Sequence, residues 1–390
     1  MKLLVIGSGM MGSAAAYDMA IQNHVASVTL ADSDLKRAKR AAARVNRIAG
    51  GKKVRAAALD ASKEKQAARL MKGHDGALSA VPYFFNFGLA KAAISAGCHF
   101  ADLGGNNTVV RQELALAKRA EKKGIALAPD CGLSPGMASI LGGELIRRLD
   151  GRADALKIYV GGLPEKPMPP FQYQLVFSVE GLINEYVEPA CILRDGKLAT
   201  IESLTEPEEF HCDGFAPLVA FQTSGGTSTL PETFKGRVGE CFEKTLRYPG
   251  HYNLLCGLKD LGLFSSEKMH IGKLEVAPRA VMAKLFEKKF AGTGPDVCIL
   301  RIEAHEAVKA SGGNFKGRVA SFTMVDHYDA KSDMSAMMRT TAFPASIVLQ
   351  MMCMGTVGKR GAVLQERDIP AEAFLEEIAR RGIKIEYRME

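Results

Sequence analysis

The sequence predicts an α/β protein: an N-terminal doubly wound parallel sheet, with a mixed, largely antiparallel α+β domain inserted after it. Three observations point there. A short apolar run, "LLVIG" at 3–7, leads through a glycine loop into a helix-like stretch. Strand-length apolar runs then alternate with helix-length runs as far as residue 135, the pattern of a parallel sheet with right-handed crossovers. Beyond that point the alternation stops and hairpin patterning takes over. The expected organisation is a first domain at 1–135, a substrate-binding and oligomerisation domain at 136–340, and a C-terminal segment at 341–390 whose helices and strand return to the first domain.

The first strand and its loop carry the clearest motif. "GSGMMG" sets Gly7, Gly9 and Gly12 in GxGxxG spacing, and "SAAAYDMAI" continues as a helix. In that setting Gly7 permits the tight turn, Gly9 lets backbone approach a pyrophosphate, and Gly12 lets helix and strand pack closely. Met10 and Met11 open the helix, whose free N–H groups and positive dipole end suit phosphate. This is a Rossmann dinucleotide-binding fingerprint. A second strand, "ASVTLAD", ends in Asp32, 20 residues past Gly12 (32 − 12). A carboxylate there accepts hydrogen bonds from the adenosine ribose and repels a 2′-phosphate, which favours NAD. Lys36 and Arg37, about one helical turn on, keep NADP as the alternative.

The later strands follow in order. "KVRAAALD" ends at Asp60, "GALSAV" meets Pro82, "CHFADLGG" ends at Asp102, Gly104 and Gly105, and "IALAPDCG" ends at Asp130 and Cys131. Helices "FGLAKAAISAG" and "VVRQELALAKRAEKKG" lie between the later ones. Ligands of such sheets bind beyond the carboxyl ends of the strands. That rule puts Asp32, Asp60, Ala80, Val81, Pro82, Asp102, Gly104, Asp130 and Cys131 along one rim, although each alone is more often a cap or turn residue.

After a helix at 133–151, the segments "DALKIYVGG", "YQLVFSV" and "PACILRDGKLATI" read as strands. "DVCILRIEAHEAV" and "FKGRVASFTMVDHYD" flank the turn signal "KASGGN" at 309–314 and read as a long hairpin. The tail holds helices "FPASIVLQMMCMG" and "PAEAFLEEIARRG" and a short strand "IKIEY". "GGLPEKPMPP" at 161–170 is a Pro-rich loop, a plain connection or a lid or interface arm. "QTSGGTSTLPETF" surrounds Gly225 and Gly226 with hydroxyls, either an anion-binding nest or a flexible turn. Glu180 and Glu185 sit in "FSVEGLINEY" near a helix start, where capping is the simplest role. "TLRYPGH" brings Arg247, Tyr248 and His251 together at a Pro-Gly break between a strand and a helix. A guanidinium there can grip a carboxylate with two parallel hydrogen bonds.

Bulk properties narrow the class. The chain has 390 residues with 47% hydrophobic and 24% charged content, enough for two globular domains. It has no apolar run of about 18 residues, so no membrane span is expected. The opening "MKLLVIG" enters a strand at once, and a cytoplasmic location is the expectation. Eight cysteines without a CxxC pair argue for free thiols, and with histidines at no ligand spacing no metal is expected. The net charge is +8, with nine cations and no acid between residues 36 and 55. Leu35, Ala38, Ala42, Val45 and Ile48 repeat there at helical spacing. This is the solvated face of an amphipathic helix, or one beside a nucleotide phosphate, rather than a nucleic-acid surface.

"GSGMMG", "SAVPYFFN", "FADLGGN", "PDCGLSPGM", "TSGGTSTLPETF" and "KTLRYPGH" together resemble the saccharopine dehydrogenase family, and most its L-lysine 6-dehydrogenase branch, from residue 1 to about 385. The resemblance implies an active site between the two domains, a small amino-acid substrate and a homodimer or higher homo-oligomer. It implies NAD-dependent oxidative deamination of L-lysine at the ε carbon, giving allysine, which closes to 1-piperideine-6-carboxylate, with ammonia and NADH. It carries Arg247 over as carboxylate anchor, with Tyr248, Thr223, Ser224, Asp130 and Cys131 lining the substrate. The amine must lose a proton before it can push electrons into a C=N bond, and Asp102, with His251 as alternative, is the candidate base. Two other readings stay open: a saccharopine reductase-type (opine-forming) dehydrogenase, and a catalytically silent dinucleotide-binding sensor.

Overall fold

A computed structural model describes residues 1–291, 294–306 and 317–390. The chain divides into two compact units, the first made of 1–144, 330–334 and 338–384, the second of 145–329, 335–337 and 385–390. The turn expected at 309–314 lies outside the described residues.

The first unit is built on a parallel sheet. Strands β1 (Lys2–Ile6), β2 (Ser27–Asp32), β3 (Val54–Ala58), β4 (Gly76–Ser79), β5 (His99–Asp102) and β6 (Ala126–Ala128) lie in the order β3-β2-β1-β4-β5-β6. Gly361–Ala362, from the C-terminal segment, adds a seventh strand parallel to β6. The order reverses between β1 and β4, the switch point where such sheets bind ligands. Leu4, Ile6, Leu89, Phe100 and Leu127 are buried in its core. The basic run forms helix Leu35–Ile48, which buries Ala38, Ala42 and Val45, and Asp34 caps it by accepting from the N–H groups of Lys36 and Arg37. The single helix expected at 109–124 is two. Asn106 caps Asn107–Leu114, and Ala117–Lys122 follows after a break at Ala115 and Leu116.

The second unit holds, among the described residues, a nine-stranded mixed sheet. Val238–Arg247 runs parallel to Ala153–Pro164, and that strand is antiparallel to Asp296–His305. Leu218–Gln222 lies antiparallel on the other side of Val238–Arg247. Helices Val179–Val187, His251–Asp260 and Pro278–Phe290 contribute to a core that includes Tyr186, Phe221, Leu255 and Phe286.

Two expectations fail here. "YQLVFSV" is irregular rather than a strand: the Leu175 N–H donates to the Phe290 carbonyl, and Ser178 already caps the helix that follows. The last strand, Glu386–Met389, does not return to the parallel sheet. It pairs antiparallel with Val319–His327 in the second unit. The physical reason is side-chain packing: Tyr387 lies 5.3 Å from the Phe322 ring, and the Arg148 guanidinium stacks 4.2 Å from the Tyr387 ring.

Candidate active site

In the first unit the three fingerprint glycines have separate reasons. Gly7 sits at φ +101°, and a Cβ there would lie 2.6 Å from the Ala80 carbonyl oxygen. A Cβ on Gly12 would lie 1.8 Å from the Gly7 oxygen, so helix and loop close only around glycine. A Cβ on Gly9 would meet nothing within 4 Å. Gly9 precedes helix Met10–Ile21, and no side chain caps that N-terminus. Open backbone at an uncapped helix start is what a pyrophosphate needs, so these residues fit a dinucleotide.

Asp32 ends β2 and is buried. Its Oδ2 accepts from the Ser8 N–H at 2.8 Å and the Ser8 hydroxyl at 2.7 Å. Arg37, 54% exposed, closes over the carboxylate from outside, with NH2–Oδ1 at 2.7 Å and Nε–Oδ2 at 3.2 Å. Burial alone would raise the pKa of Asp32. The Ser8 and Asp34 N–H groups, with Ser8 and Arg37 side chains, lower it to about 2. Asp60 is differently placed: it is exposed and its Oδ1 accepts from the Ser62 N–H and hydroxyl, making a turn of its own past the end of β3.

The ends of β5 and β6 bring Asp102, Asp130 and Cys131 together, with Glu113 from helix Asn107–Leu114, a residue the sequence reading missed. Asp102 Oδ1 accepts from the Gly104 N–H at 2.7 Å and the Asp130 N–H at 3.3 Å. Asp130 has a left-handed backbone, φ 60°, and a Cβ on Gly104 would fall 1.6 Å from its Oδ1. Only glycine at 104 leaves room for that carboxyl. Burial first, then the Asp130 charge, pushes Asp102 up to about 7. Cys131 is fully buried and its thiol donates to the Ala128 carbonyl at 3.2 Å. Burial and the adjacent carboxyls hold it above the usual thiol range, so it packs as a neutral thiol.

In the second unit Arg247 ends its strand 3% exposed. Its Nε donates to the Tyr186 hydroxyl at 3.1 Å, and its NH1 to the Leu246 carbonyl at 3.0 Å. The Tyr186 hydroxyl lies 3.0 Å from His251 Nε2, and His251 Nδ1 lies 2.8 Å from the Phe171 carbonyl. A carbonyl can only accept, so Nδ1 carries the proton and Nε2 accepts from Tyr186. The result is a directed relay from Arg247 through Tyr186 and His251 to the backbone. His251 is therefore not a base free to reach a ligand. It is fully buried, and burial together with the Arg247 charge lowers its pKa to about 3. Tyr248 is likewise committed, its hydroxyl donating to the Pro164 carbonyl at 3.0 Å.

Two carboxyls attend Arg247. Glu185 Oε2 lies 3.7 Å from its NH2, and the Glu185 side chain is 31% exposed. Its crowded surroundings push it up to about 7 against the pull of Arg247. Glu243 lies on the same strand face as Thr245 and Arg247, by the period of two. Burial, then Glu185, raises it to about 8. The Thr223 hydroxyl donates to Glu243 at 3.1 Å and lies 2.7 Å from the Thr245 hydroxyl. Ser224 donates to the Asn184 carbonyl at 3.1 Å. Only Gly226 of the glycine pair packs on a carboxyl of the chain itself: a Cβ there would fall 2.5 Å from Glu243 Oε2, whereas one on Gly225 would meet nothing within 4 Å. Glu243 was missed in the sequence, although its place four before Arg247 on a strand carried a signal; the roles of Glu185 and Tyr186 carried none, since only the tertiary fold brings their helix to it.

Residues 3–127 match the saccharopine dehydrogenase NADP binding domain, and residues 132–383 match the saccharopine dehydrogenase C-terminal domain. The chain belongs to the saccharopine dehydrogenase family. Among its relatives in that family, saccharopine dehydrogenase (NADP(+), L-glutamate-forming) of Saccharomyces cerevisiae is 24% identical over 285 residues, covering 71% of this chain and 61% of that protein. The mitochondrial alpha-aminoadipic semialdehyde synthase of Mus musculus is 24% identical over 284 residues, 68% of this chain and 29% of that one. The chain thus spans less than two thirds of the length of these curated relatives. The apo saccharopine dehydrogenase (L-Glu forming) structure from Saccharomyces cerevisiae shares the fold, with TM-score 0.80 at 18% identity over 100% of this chain and 99% of that one. The first unit of this family member is its NAD(P)-binding domain. Among the described residues no helix is long and apolar enough to cross a membrane.

Proposed function

We propose that this chain is an NAD-dependent dehydrogenase that oxidises L-lysine at its ε carbon. Lysine, NAD⁺ and water give allysine, ammonium, NADH and one proton, and allysine then closes to 1-piperideine-6-carboxylate. The observation that carries the reading is the second unit's buried Arg247, fixed by Tyr186 and His251, with Glu185 3.7 Å away. A held guanidinium beside a carboxyl matches the carboxylate and ammonium of one α-amino acid head group. The nicotinamide, when bound, supplies the hydride acceptor. Asp102 takes the proton from the ε-ammonium and frees the lone pair that forms the C=N bond. Cys131, a neutral thiol, takes no covalent part. Thr223 orients Glu243 and so acts behind the anchor.

A second reading, oxidative cleavage of a secondary amine such as saccharopine, is favoured by the names of the relatives. Its extra carboxylates call for further cations, whereas Glu185 and Glu243 crowd the one at 247. NADH formation with L-lysine, L-ornithine and saccharopine, each with NAD and NADP, tests the proposal. Turnover of lysine with ammonia release is expected. Turnover of saccharopine but not lysine would overturn it.

The NAD preference rests on Asp32. A ribose 2′-hydroxyl can donate to its carboxylate, whereas a 2′-phosphate meets its charge. Replacing Asp32 by alanine also releases Arg37 toward a 2′-phosphate. The kcat/KM ratio of NAD to NADP is expected to fall by about tenfold or more, about 1.4 kcal/mol. The hydrogen bonds from Ser8 to Asp32 are lost whichever cofactor is offered, so the ratio isolates the 2′ position. A ratio that stays put removes the ribose assignment.

A further inference from the structure

Glu113 is 2% exposed and Asp102 0%, and their carboxyls lie within hydrogen-bonding reach. Drawn as two carboxylates, the pair has no proton between them. Asp102 Oδ2 and both Glu113 oxygens are then buried acceptors without a donor. Such groups are costly in a protein interior, and two carboxylates sharing one site do not both ionise. One proton between them removes the conflict. The two members are not equivalent: Asp102 Oδ1 receives the Gly104 and Asp130 N–H groups, which stabilise its charge. We propose that Glu113 is a positioning residue for Asp102, remaining a carboxylic acid and donating its O–H to Asp102 Oδ2, so that Asp102 is the member that ionises.

The proposal rests on the reading of Asp102 as the group that accepts the amine proton. Burial, then the Asp102 charge, raises Glu113 well above the usual carboxyl range, whereas the Gly104 and Asp130 N–H groups work against the rise at Asp102. Asp130 and the Cys131 thiol are among the groups facing the pair, and the Asp130 charge raises both carboxyls. A proton from Glu113 is therefore the contribution that helix Asn107–Leu114 makes to lowering the pKa of Asp102. Without it Asp102 would hold its own proton to higher pH and be a base over a narrower range.

The test uses the full chain and two substitutions. In Glu113→Leu the donor is gone, and the acid limb of the kcat/KM profile for lysine is expected to move up by about one to two pH units, the size of a lost hydrogen bond to a charged group. In Glu113→Gln an N–H still donates, and the limb is expected to stay near its wild-type position. Infrared difference spectra of wild type minus Glu113→Gln are expected to show a buried, protonated carboxyl C=O band at about pH 9, above the range in which Asp102, Glu185 and Glu243 lose their protons. Loss of turnover in Glu113→Gln, an unmoved limb in Glu113→Leu, or absence of the band would each overturn the proposal. The band needs no substrate. If it is present but no amino acid is turned over, the fault lies in the functional reading and not in the shared proton.

Discussion

Arg247→Met is expected to raise the Michaelis constant for the amino-acid substrate by about ten- to a hundredfold. A charge-assisted pair contributes about 1.5–3 kcal/mol, and each 1.4 kcal/mol is a factor of ten. NAD binding, followed by NADH fluorescence, should not change, because in the proposed reading the glycine loop and Asp32 hold the dinucleotide and Arg247 holds the amino acid. Arg247→Lys should fare little better. An ammonium has no Nε to hold the Tyr186 hydroxyl and no fork to grip two carboxylate oxygens. The confounding effect is on stability, since removing a buried cation deprives Glu185 of the charge that holds its pKa down. Glu185 then takes up a proton, which limits the damage, and thermal unfolding of each variant separates a weak anchor from a weak fold. A Michaelis constant that does not move takes Arg247 out of the site.

The relay behind Arg247 also shows what could be read from the residues alone. Gly7, Gly9 and Gly12 were legible because their demands are local: a turn, an open backbone and a close contact all fall within six residues. The position of Asp32 at the end of β2 was legible because strand length and crossover fix its distance from the loop. His251 was misread because its partners are remote. Tyr186 lies 65 positions away and Phe171 80, and nothing in "TLRYPGH" announces that both ring nitrogens are held. Glu113 was hidden for a related reason. On its own helix it resembles any solvated glutamate, and only the ends of β5 and β6 make its position an interior one. Glu243 did carry a signal, since a strand places 243, 245 and 247 on one face. The strand at 386–389 shows the reverse failure: "IKIEY" reads as a strand, but its choice of sheet is decided by Phe322 and Arg148, far away in the sequence.

Asp102→Asn is the sharper test of chemistry. Loss of a general base costs about 10²–10⁴ in rate, so kcat is expected to fall by that factor while NAD binding persists. Asparagine keeps an oxygen to accept from Gly104 and Asp130, so the loop geometry survives the change. The pH dependence has a definite sign. Asp102 must be ionised to accept a proton and its pKa is raised to about 7, so wild-type activity should fall as pH drops through about 7. Stability should run the other way. A carboxyl that holds its proton more tightly when folded favours the folded state at low pH and loses that advantage as pH rises from the unfolded value through about 7. Asp102→Asn removes this loss, so the variant should be as stable as wild type at low pH and more stable above pH 7 by thermal unfolding. Loss of activity with gain of alkaline stability is the pattern of a charge kept for function. If turnover survives instead, His251 does not replace the lost base, since its Nε2 accepts from Tyr186 and its pKa is near 3. The amine proton would then leave directly to water, and the carboxyls at the ends of β5 and β6 would have no part in the reaction.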